Sequence, residues 1–577
     1  MFWTATAAGS AAGLVALRRV ARTRPWRMPP AAALAIPGVI LVLTFIVALV
    51  AAPNNWDSLA YHNARVMQWW DHGSVAPWEA PDDRQLRMPP LASYFKLALL
   101  GLTGNDVLFN LVQWAFFAFS ILAAAALAAR LVPSSRAGPW AALLVATIPM
   151  AVLQSTSTQN DVVVAGYVLG AAFFLFRAFA PDGVPLRDLA LGGAALGLGL
   201  ATKGTTYLLA VPLLGTAAGP ALGRLARGRG KERRAWTAGL AAAAALAVLS
   251  NAGFWWRNAQ ALGSPVGSAY EIVRPSSFLA LGARKAPALV VSQVLRSLVT
   301  QLGQLRIVGV RGRALVEATA RVHSGLGIGV DEPAISGPLP FSSAEWPPLN
   351  HEDTAPSTAT FLVLAAATGV ALFRRSLRGR RAVLVFFLAG WAGWLLLAVF
   401  IRWMPWNVRL ELPVLVFLAV PAAAVVAESL GGPLRAALAF LLVLQALPAL
   451  LLNSSRPLLG VSTSPGDPVL LRMFVPHGSR SIFATSRWED YFRNKPALQA
   501  DTEDVLREVA RRCGPGGTVR LALADSPEYV LWVGAPRFAP GVRLRTGAPR
   551  PGEAAPCAVV RARCPGARAF CLEEPAR

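Results

Sequence analysis

Residues 41–65 read Leu41-Val42-Leu43-Thr44-Phe45-Ile46-Val47-Ala48-Leu49-Val50-Ala51-Ala52-Pro53-Asn54-Asn55-Trp56-Asp57-Ser58-Leu59-Ala60-Tyr61-His62-Asn63-Ala64-Arg65, and the break at Pro53 decides the fold. Before it lies an apolar run long enough, with its upstream residues, to span a bilayer. After it come a carboxylate, an imidazole and a guanidinium within nine residues, flanked by Trp56 and Tyr61 and followed by Trp69 and Trp70. Ionisable groups next to lipid are costly, so they mark a site more often than a scaffold. The loop points to chemistry at the mouth of a hydrophobic bundle, on a substrate carried by lipid.

The rest of the chain supplies the bundle. Of 577 residues, 55% are hydrophobic and only 15% charged, against roughly 25% charged in soluble domains. The net charge of +24 resembles a nucleic-acid signature until its placement is considered. It sits in short clusters between apolar runs: Arg18, Arg19, Arg22, Arg24 and Arg27; Arg224, Arg227, Arg229, Lys231, Arg233 and Arg234; Arg374, Arg375, Arg378, Arg380 and Arg381. That is the pattern of cytoplasmic loops, and it argues against a nucleic-acid partner. The excess of Arg over Lys, with abundant Ala, Gly and Pro, suggests a GC-rich bacterial genome.

Candidate spans fall near 2–17, 31–52, 106–131, 139–155, 161–180, 188–202, 204–221, 235–254, 359–373, 382–401, 412–427 and 435–452, about twelve passes. The pair around Lys203 also reads as one broken helix with a re-entrant piece. The first segment carries its arginines after the apolar stretch, unlike a signal peptide, and reads as a short membrane helix with its N-terminus outside. Strict alternation then places Arg130, Arg136 and all the strong basic clusters inside. It places four segments outside: 53–105, the turn 154–161, the long loop 255–358, and everything from 453 onward. The expected organisation is residues 1–30 as N-terminal helix and basic loop, 31–452 as the polytopic domain, and 453–577 as an extracytoplasmic domain.

Within the long loop, residues 288–298 have helical apolar spacing that suits the membrane interface. In the C-terminal region, 505–510 reads as helix and 518–523 as strand, so a small α/β domain is expected. All four cysteines, Cys513, Cys557, Cys564 and Cys571, lie there. An even number in an external domain fits disulfides. Inert thiols are the alternative, and no His accompanies them at zinc-ligand spacing.

Several residues can carry chemistry. Asp57 can deprotonate an acceptor or hold a divalent metal; it can also cap the helix that follows. His62 and Arg65, three apart, can share a face, with Arg65 binding phosphate or pairing with Asp57 or Asp71. Asp161, in Thr158-Gln159-Asn160-Asp161, needs a partner such as Arg65 or Lys203, or caps the next helix. Lys203, flanked by Thr202 and Gly204 at a helix break, suits phosphate, although no P-loop surrounds it and snorkelling is an alternative. Arg257 and Arg409 fall outside against the charge trend, and a lipid phosphate gives them a reason to be there. His351, Glu352 and Asp353 form a cluster for substrate or metal if their geometry converges; no HExxH is present.

Taken together, these segments resemble membrane glycosyltransferases of the GT-C class. More narrowly, they resemble the bacterial dolichyl-phosphate-mannose–protein mannosyltransferase-like group, which also includes the aminoarabinose transferases acting on lipid A. The resemblance is carried by Asp57-Ser58-Leu59-Ala60-Tyr61-His62 with Arg65 and Trp69, Ser157-Thr158-Gln159-Asn160-Asp161, Thr202-Lys203-Gly204-Thr205, Arg257-Asn258 with Gly263-Ser264-Pro265, His351-Glu352-Asp353, and Pro405-Trp406 with Arg409 and Leu412-Pro413. It covers roughly residues 30–450. It implies a GT-C-like helical bundle, a polyprenyl-phosphate sugar donor, inversion at the anomeric carbon, and transfer on the extracytoplasmic face of the bacterial cell membrane to a glycan, lipid or protein. By position, Asp57 and Asp161 become the catalytic acids, and Lys203, Arg257, Arg409 and Arg65 hold the donor phosphate. These motifs fix no cofactor and leave the metal requirement open, with divalent Mg or Mn as the candidate. Ser58 stands where the mannosyltransferases place a second acid. The rival readings are a transporter or flippase of a lipid-linked or anionic solute, which favours inverted repeats that this chain lacks, and a non-catalytic envelope assembly subunit.

Overall fold

The computed structural model describes residues 34–574 except 81, 133, 267–282, 310, 338, 342–348, 476–478, 524, 548–554, 563 and 565–567. The helix expected over 2–17 lies outside them.

The other expected spans are helical, two of them broken (139–155 and 235–254), and local chemistry sets where each helix stops. Helix α1 (Ala35–Val50) ends just before Pro53. A kinked external stretch follows: a wide π turn over Ser58–His62, then α2 (Asn63–His72), α3 (Arg84–Arg87) and α4 (Leu91–Thr103). Helix α5 is Leu111–Leu131. The expected 139–155 span divides into α6 (Ala137–Ala146) and α7 (Pro149–Gln154), because Pro149 forces extended backbone on Ile148. Then come α8 (Asp161–Ala178), α9 (Pro185–Leu200), α10 (Thr205–Arg227), α11 (Gly230–Leu249) and α12 (Ala252–Leu262). The external pair α13 (Ala286–Gln301) and α14 (Gly312–Gly325) precedes α15 (Thr358–Phe373), α16 (Arg380–Phe400), the single turn α17 (Asn407–Leu410), α18 (Leu412–Ser429) and α19 (Gly432–Leu451).

By length and composition, six described helices can cross a membrane, or seven if the bent pair α11–α12 is one span; α1, α4, α6 and α15 are apolar but shorter. The chain is a multi-pass membrane protein. Burial sorts the spans. The apolar window of α18 is 89% buried, whereas those of α10 and α19 are 22% buried. A helix apolar all round and enclosed is the axis of the bundle; one apolar but uncovered faces lipid. Helices α9 and α11 cross closely because Gly193 and Gly197 leave no Cβ: one added at Gly193 would stand 2.4 Å from the Cα of Ala243. Small residues at this spacing let two membrane backbones approach.

The C-terminal region follows α20 (Val469–Phe474) and α21 (Arg487–Asp490) with α22 (Ala497–Cys513), β1 (Thr518–Ala522), α23 (Tyr529–Phe538), β2 (Arg543–Thr546), β3 (Ala558–Ala562) and β4 (Phe570–Glu573). The strand order is β2-β1-β3-β4, with β1 parallel to β2 and β3, and β4 antiparallel to β3. Disulfides join Cys513 to Cys557 and Cys564 to Cys571.

This α/β head is bolted to the first external loop. Ala52, Leu59, Ala64 and Val66 share one core with Phe492, Leu506, Tyr529 and Leu531. Buried Asp106 accepts hydrogen bonds from Tyr491 (2.6 Å), Tyr529 (2.9 Å) and Arg487 (2.7 Å). Asp490 accepts from the Ala52 amide at 2.8 Å. Glu528 accepts from Gln68 and Gln85 at 2.5 and 2.9 Å. The first loop is therefore held between bundle and head, which fixes the residues it carries.

Candidate active site

Asp57 owes its free carboxylate to Asn55. The Asn55 Oδ1 accepts from both the amide (2.9 Å) and the hydroxyl (2.8 Å) of Ser58, so Asn55 caps the helical turn and the Asp57 side chain makes no cap bond. The wide turn at 58–62 is a form of helix often found at functional sites. It turns Asp57 inward, where a carboxylate oxygen meets Nη2 of Arg409 at 2.9 Å. Tyr61, one turn on, is buried. Burial first, then the Asp57 charge, push its phenol well above the ordinary range, so it remains a hydrogen-bond donor.

Arg409 is the hub. It lies on the single turn between α16 and α18, and three carboxylates from three parts of the chain converge on it. Besides Asp57, Asp353 meets Nη1 at 2.6 Å, and Asp161 stands 3.7 Å from Nε. Asp161 opens α8 without capping it and pairs with Lys203 Nζ at 2.7 Å. Gln159 donates to Asp353 at 2.8 Å. Burial alone would weaken the Arg409 charge; Asp57, Asp353 and Asp161 more than reverse this and raise it above its ordinary value. Burial lowers Lys203, and Asp161 partly offsets it. Three acids against two cations leave about one net negative charge on the knot. Access is graded: Asp161 is sealed at 1% exposure, while Asp57 and Asp353 retain 18% and 23%.

The 351–353 cluster divides its loyalties. Asp353 belongs to the knot. Glu352 is fully buried, bonds to the Ser455 hydroxyl, and lies 3.6 Å from buried Arg456. Burial would raise the Glu352 carboxyl, but Arg456 and then His351 hold it below the ordinary range. Arg456 also reaches Asn54 Oδ1 at 2.5 Å, tying the head to the first loop. The three side chains offer ligand atoms within 4.8 Å of one another. Yet both carboxylates are already committed to guanidinium groups, which a divalent cation would have to face. In this arrangement the two carboxylates form an ionic clasp, and a divalent ion would have to displace a guanidinium to bind them.

The remaining two cations lie apart from these acids. Arg257 Nη2 donates to the Leu86 carbonyl at 2.7 Å, and Arg65 Nη1 to the Met88 carbonyl at 2.7 Å. Arg65 is fully buried, stacks on Trp69 at 5.5 Å, and has no hydrogen-bond partner for Nε or Nη2. Burial and then Arg257 push it down to about 10. Arg257 borders a cavity of about 590 Å³ lined by Tyr94, Leu91, Leu198, Leu249 and Phe254. Leu91 donates its amide to the Ala201 carbonyl at 3.0 Å, so one wall of this groove lies two residues along the chain from Lys203. His62 lies between the two. Burial and then the charges of Lys96, Arg65, Lys203 and Arg409 hold its imidazole well below the ordinary value.

Three residues escaped the sequence reading. Lys96 is fully buried and donates to Asn63 Oδ1 (3.1 Å) and the Thr158 carbonyl (2.7 Å), joining the Asp57 segment to the Asp161 turn. A lone lysine inside the apolar run 91–103 was the available signal. Gln159 lay within a quoted motif without a role. Arg456 sits past the last span, where nothing local distinguishes it from other arginines.

Residues 87–255 match the family model for dolichyl-phosphate-mannose–protein mannosyltransferase, and over these residues the resemblance read from the sequence holds. The match contains Asp161, Lys203 and the groove residues Leu91, Tyr94, Leu198, Leu249 and Phe254, but not Asp57, Arg257 or Arg409. Among solved structures, the chain is similar to ArnT from Cupriavidus metallidurans bound to undecaprenyl phosphate, at 14% identity over 89% of this chain and 86% of that one, TM-score 0.49. It is also similar to arabinofuranosyltransferase AftD from Mycobacteria, at 15% identity over 86% and 29%, TM-score 0.41. A third similar structure is arabinosyltransferase EmbB from Mycobacterium smegmatis, at 16% over 72% and 44%, TM-score 0.32. No curated protein sequence matches.

Proposed function

We propose that this protein is a membrane glycosyltransferase that moves a sugar from a polyprenyl-phosphate donor to an acceptor hydroxyl, with inversion, on the extracytoplasmic face of a bacterial cell membrane. One observation carries the reading: a partly open carboxylate, Asp57, is fixed by Arg409, and a separate apolar groove is bordered by Arg257, a guanidinium with no carboxylate partner among the described residues. In the reaction, Asp57 takes the proton as the acceptor oxygen bonds to the anomeric carbon. The bond from that carbon to the phosphate oxygen breaks, and polyprenyl phosphate leaves with its electron pair. The base is effective because it is held in position. Asp161 and Asp353 act through Arg409, holding it where it holds Asp57.

The leaving phosphate needs cations in a low-dielectric site. Arg409 and Lys203 are already neutralised by acids, so Arg257 and Arg65 are the better phosphate ligands. The lipid chain follows the groove past Phe254 and Leu249. The two disulfides suit an oxidising compartment, and the head that contains them packs on the loop bearing Asp57, which supports an extracytoplasmic site. The reaction is proposed to need no metal, because the carboxylates that offer ligands are engaged by arginines.

The test is polyprenyl-phosphate release from a panel of synthetic polyprenyl-phosphate sugars, with purified wild type and Asp57→Asn in parallel. Release by wild type, lost in the variant while donor binding persists, is the expected result. Binding without release, even with membrane extract as acceptor, would move the assignment to transport or envelope assembly.

A further inference from the structure

Outside the acidic knot, the residue before Asp57 makes a second cluster with partners from the head. The indole N–H of Trp56 donates to Asp525 Oδ1 at 3.3 Å, and Lys495 Nζ lies 3.6 Å from the Trp56 ring centroid. Arg84 joins the same group: it binds Asp82 at 2.6 Å, bonds to Asp525, and stacks on Tyr61 at 4.8 Å. Asp525 is 52% exposed, and among the described residues it is the sole non-glycine with positive φ. Such strain persists only where the surroundings enforce it, and it gathers at ligand sites.

These contacts are poorly explained as structure. The contacts to the exposed Asp525 contribute roughly 0–1 kcal/mol as ion pairs, and the head is already fastened through buried Asp106, Asp490 and Glu528. Their position is more telling. Trp56 directly precedes Asp57 and Tyr61 follows one turn on, so the cluster of the indole, Arg84, Lys495 and Asp525 is built on the segment that carries that carboxylate.

We propose that Trp56, Arg84, Lys495 and Asp525 form the acceptor subsite, and that the acceptor is an uncharged glycan whose terminal sugar packs on the indole. The inference rests on the glycosyltransferase reading and deepens it. An aromatic face beside charged groups is an amphipathic recognition surface. The carboxylate accepts from sugar hydroxyls, and the guanidinium and ammonium donate to them, in charge-assisted bonds. The charges of Arg84 and Lys495 balance those of Asp82 and Asp525, so the rim has no net charge to attract an anionic lipid headgroup or a basic peptide. Lys495 covers the indole when no sugar is present and swings to the sugar's hydroxyls when one is bound.

The full-length protein is assayed with a fixed polyprenyl-phosphate sugar and three acceptor probes: a series of neutral oligosaccharides, a Ser/Thr-containing peptide, and an anionic glycolipid in micelles. Transfer and donor hydrolysis are followed together. Transfer to a neutral oligosaccharide is expected. Trp56→Ala should raise the acceptor KM at least ten-fold and shift the partition from transfer to hydrolysis, and Trp56→Phe should restore most of the loss. Lys495→Ala and Asp525→Ala should raise acceptor KM three- to ten-fold. An unchanged acceptor KM in Trp56→Ala, or transfer by wild type to peptide or glycolipid but to no neutral glycan, overturns the subsite. Wild type that neither transfers nor hydrolyses the donor overturns the enzymatic reading itself, and the subsite with it.

Discussion

Two regions of this molecule hold arginines under opposite regimes. Around Arg409, three carboxylates and Lys203 form a closed ionic knot with its polar groups largely committed to one another. Around Arg65 and Arg257, two guanidinium groups lie beside carbonyls and apolar walls with N–H groups to spare. A buried charge without a counter-ion, as at Arg65, is expensive, and with half-buried Arg257 nearby the site invites an anion. The four cations read from the sequence as one phosphate-binding set therefore divide in two. One pair engages the carboxylates, and the other is the pair proposed to meet the substrate phosphate.

The most severe way to break this comparison is at Asp57. Asp57→Asn keeps shape and volume but removes the base and one arm of the knot. We expect transfer to fall by about 10²–10⁴-fold, while the dissociation constant for polyprenyl phosphate, measured by titration in detergent, changes less than two-fold. A parallel loss of binding would mean that the knot holds the phosphate and that the division of roles is wrong.

The groove gives the reciprocal test. Arg257→Gln should raise the donor KM by about ten-fold or more, since a charge-assisted bond contributes about 1.5–3 kcal/mol, with a smaller change in turnover. If Arg257→Gln lowers turnover and leaves donor KM alone, the guanidinium acts on the transition state only, and the donor phosphate sits elsewhere in the ground state.

The contrast also shows what a sequence can disclose. Eleven apolar runs announced helices because lipid demands length and continuity from every span, and 505–510 and 518–523 revealed themselves by periodicity. Asp57, Asp161 and Arg409 were visible because each is an ionisable group at a membrane boundary. Their convergence on one guanidinium was not visible, since it depends on how loops distant in sequence are stacked. Nor could the sequence show that Asn55 would take the cap and release Asp57, because both residue types cap helices well. Glu352 and Asp353 are adjacent in the chain yet serve different arginines, a separation that only packing creates.

His62 lies at the seam between the two regions, which gives a smaller, pH-dependent effect. Burial and then Lys96 and Arg65, with Lys203 and Arg409 beyond, hold its folded-state pKa well below 6.5. The unfolded imidazole takes a proton at about 6.5 while the folded one stays neutral, so stability is full above that pH and falls as pH drops below it. The slope approaches about 1.4 kcal/mol per pH unit. The thermal midpoint of the wild type in detergent should therefore drop between pH 6.5 and 5.5 more than that of His62→Asn. Polyprenyl phosphate in the groove should narrow the difference, because an anion beside Arg65 makes protonation of His62 less costly. Equal slopes in the two proteins would mean that the imidazole keeps an ordinary pKa.

The smallest expected effect concerns the knot alone. A chelator should leave transfer unchanged, and added Mg²⁺ or Mn²⁺ should not raise it. The argument is one of prior commitment. A divalent ion at 351–353 needs at least two carboxylates, but Glu352 is clasped by Arg456 and Asp353 by Arg409, and freeing either would leave a guanidinium uncompensated in a buried site. Activity lost to a chelator and restored by a metal would show that substrate binding draws Asp353 away from Arg409. The knot would then be a resting arrangement that opens on the way to catalysis, and the difference between the two regions would lie in their order of engagement.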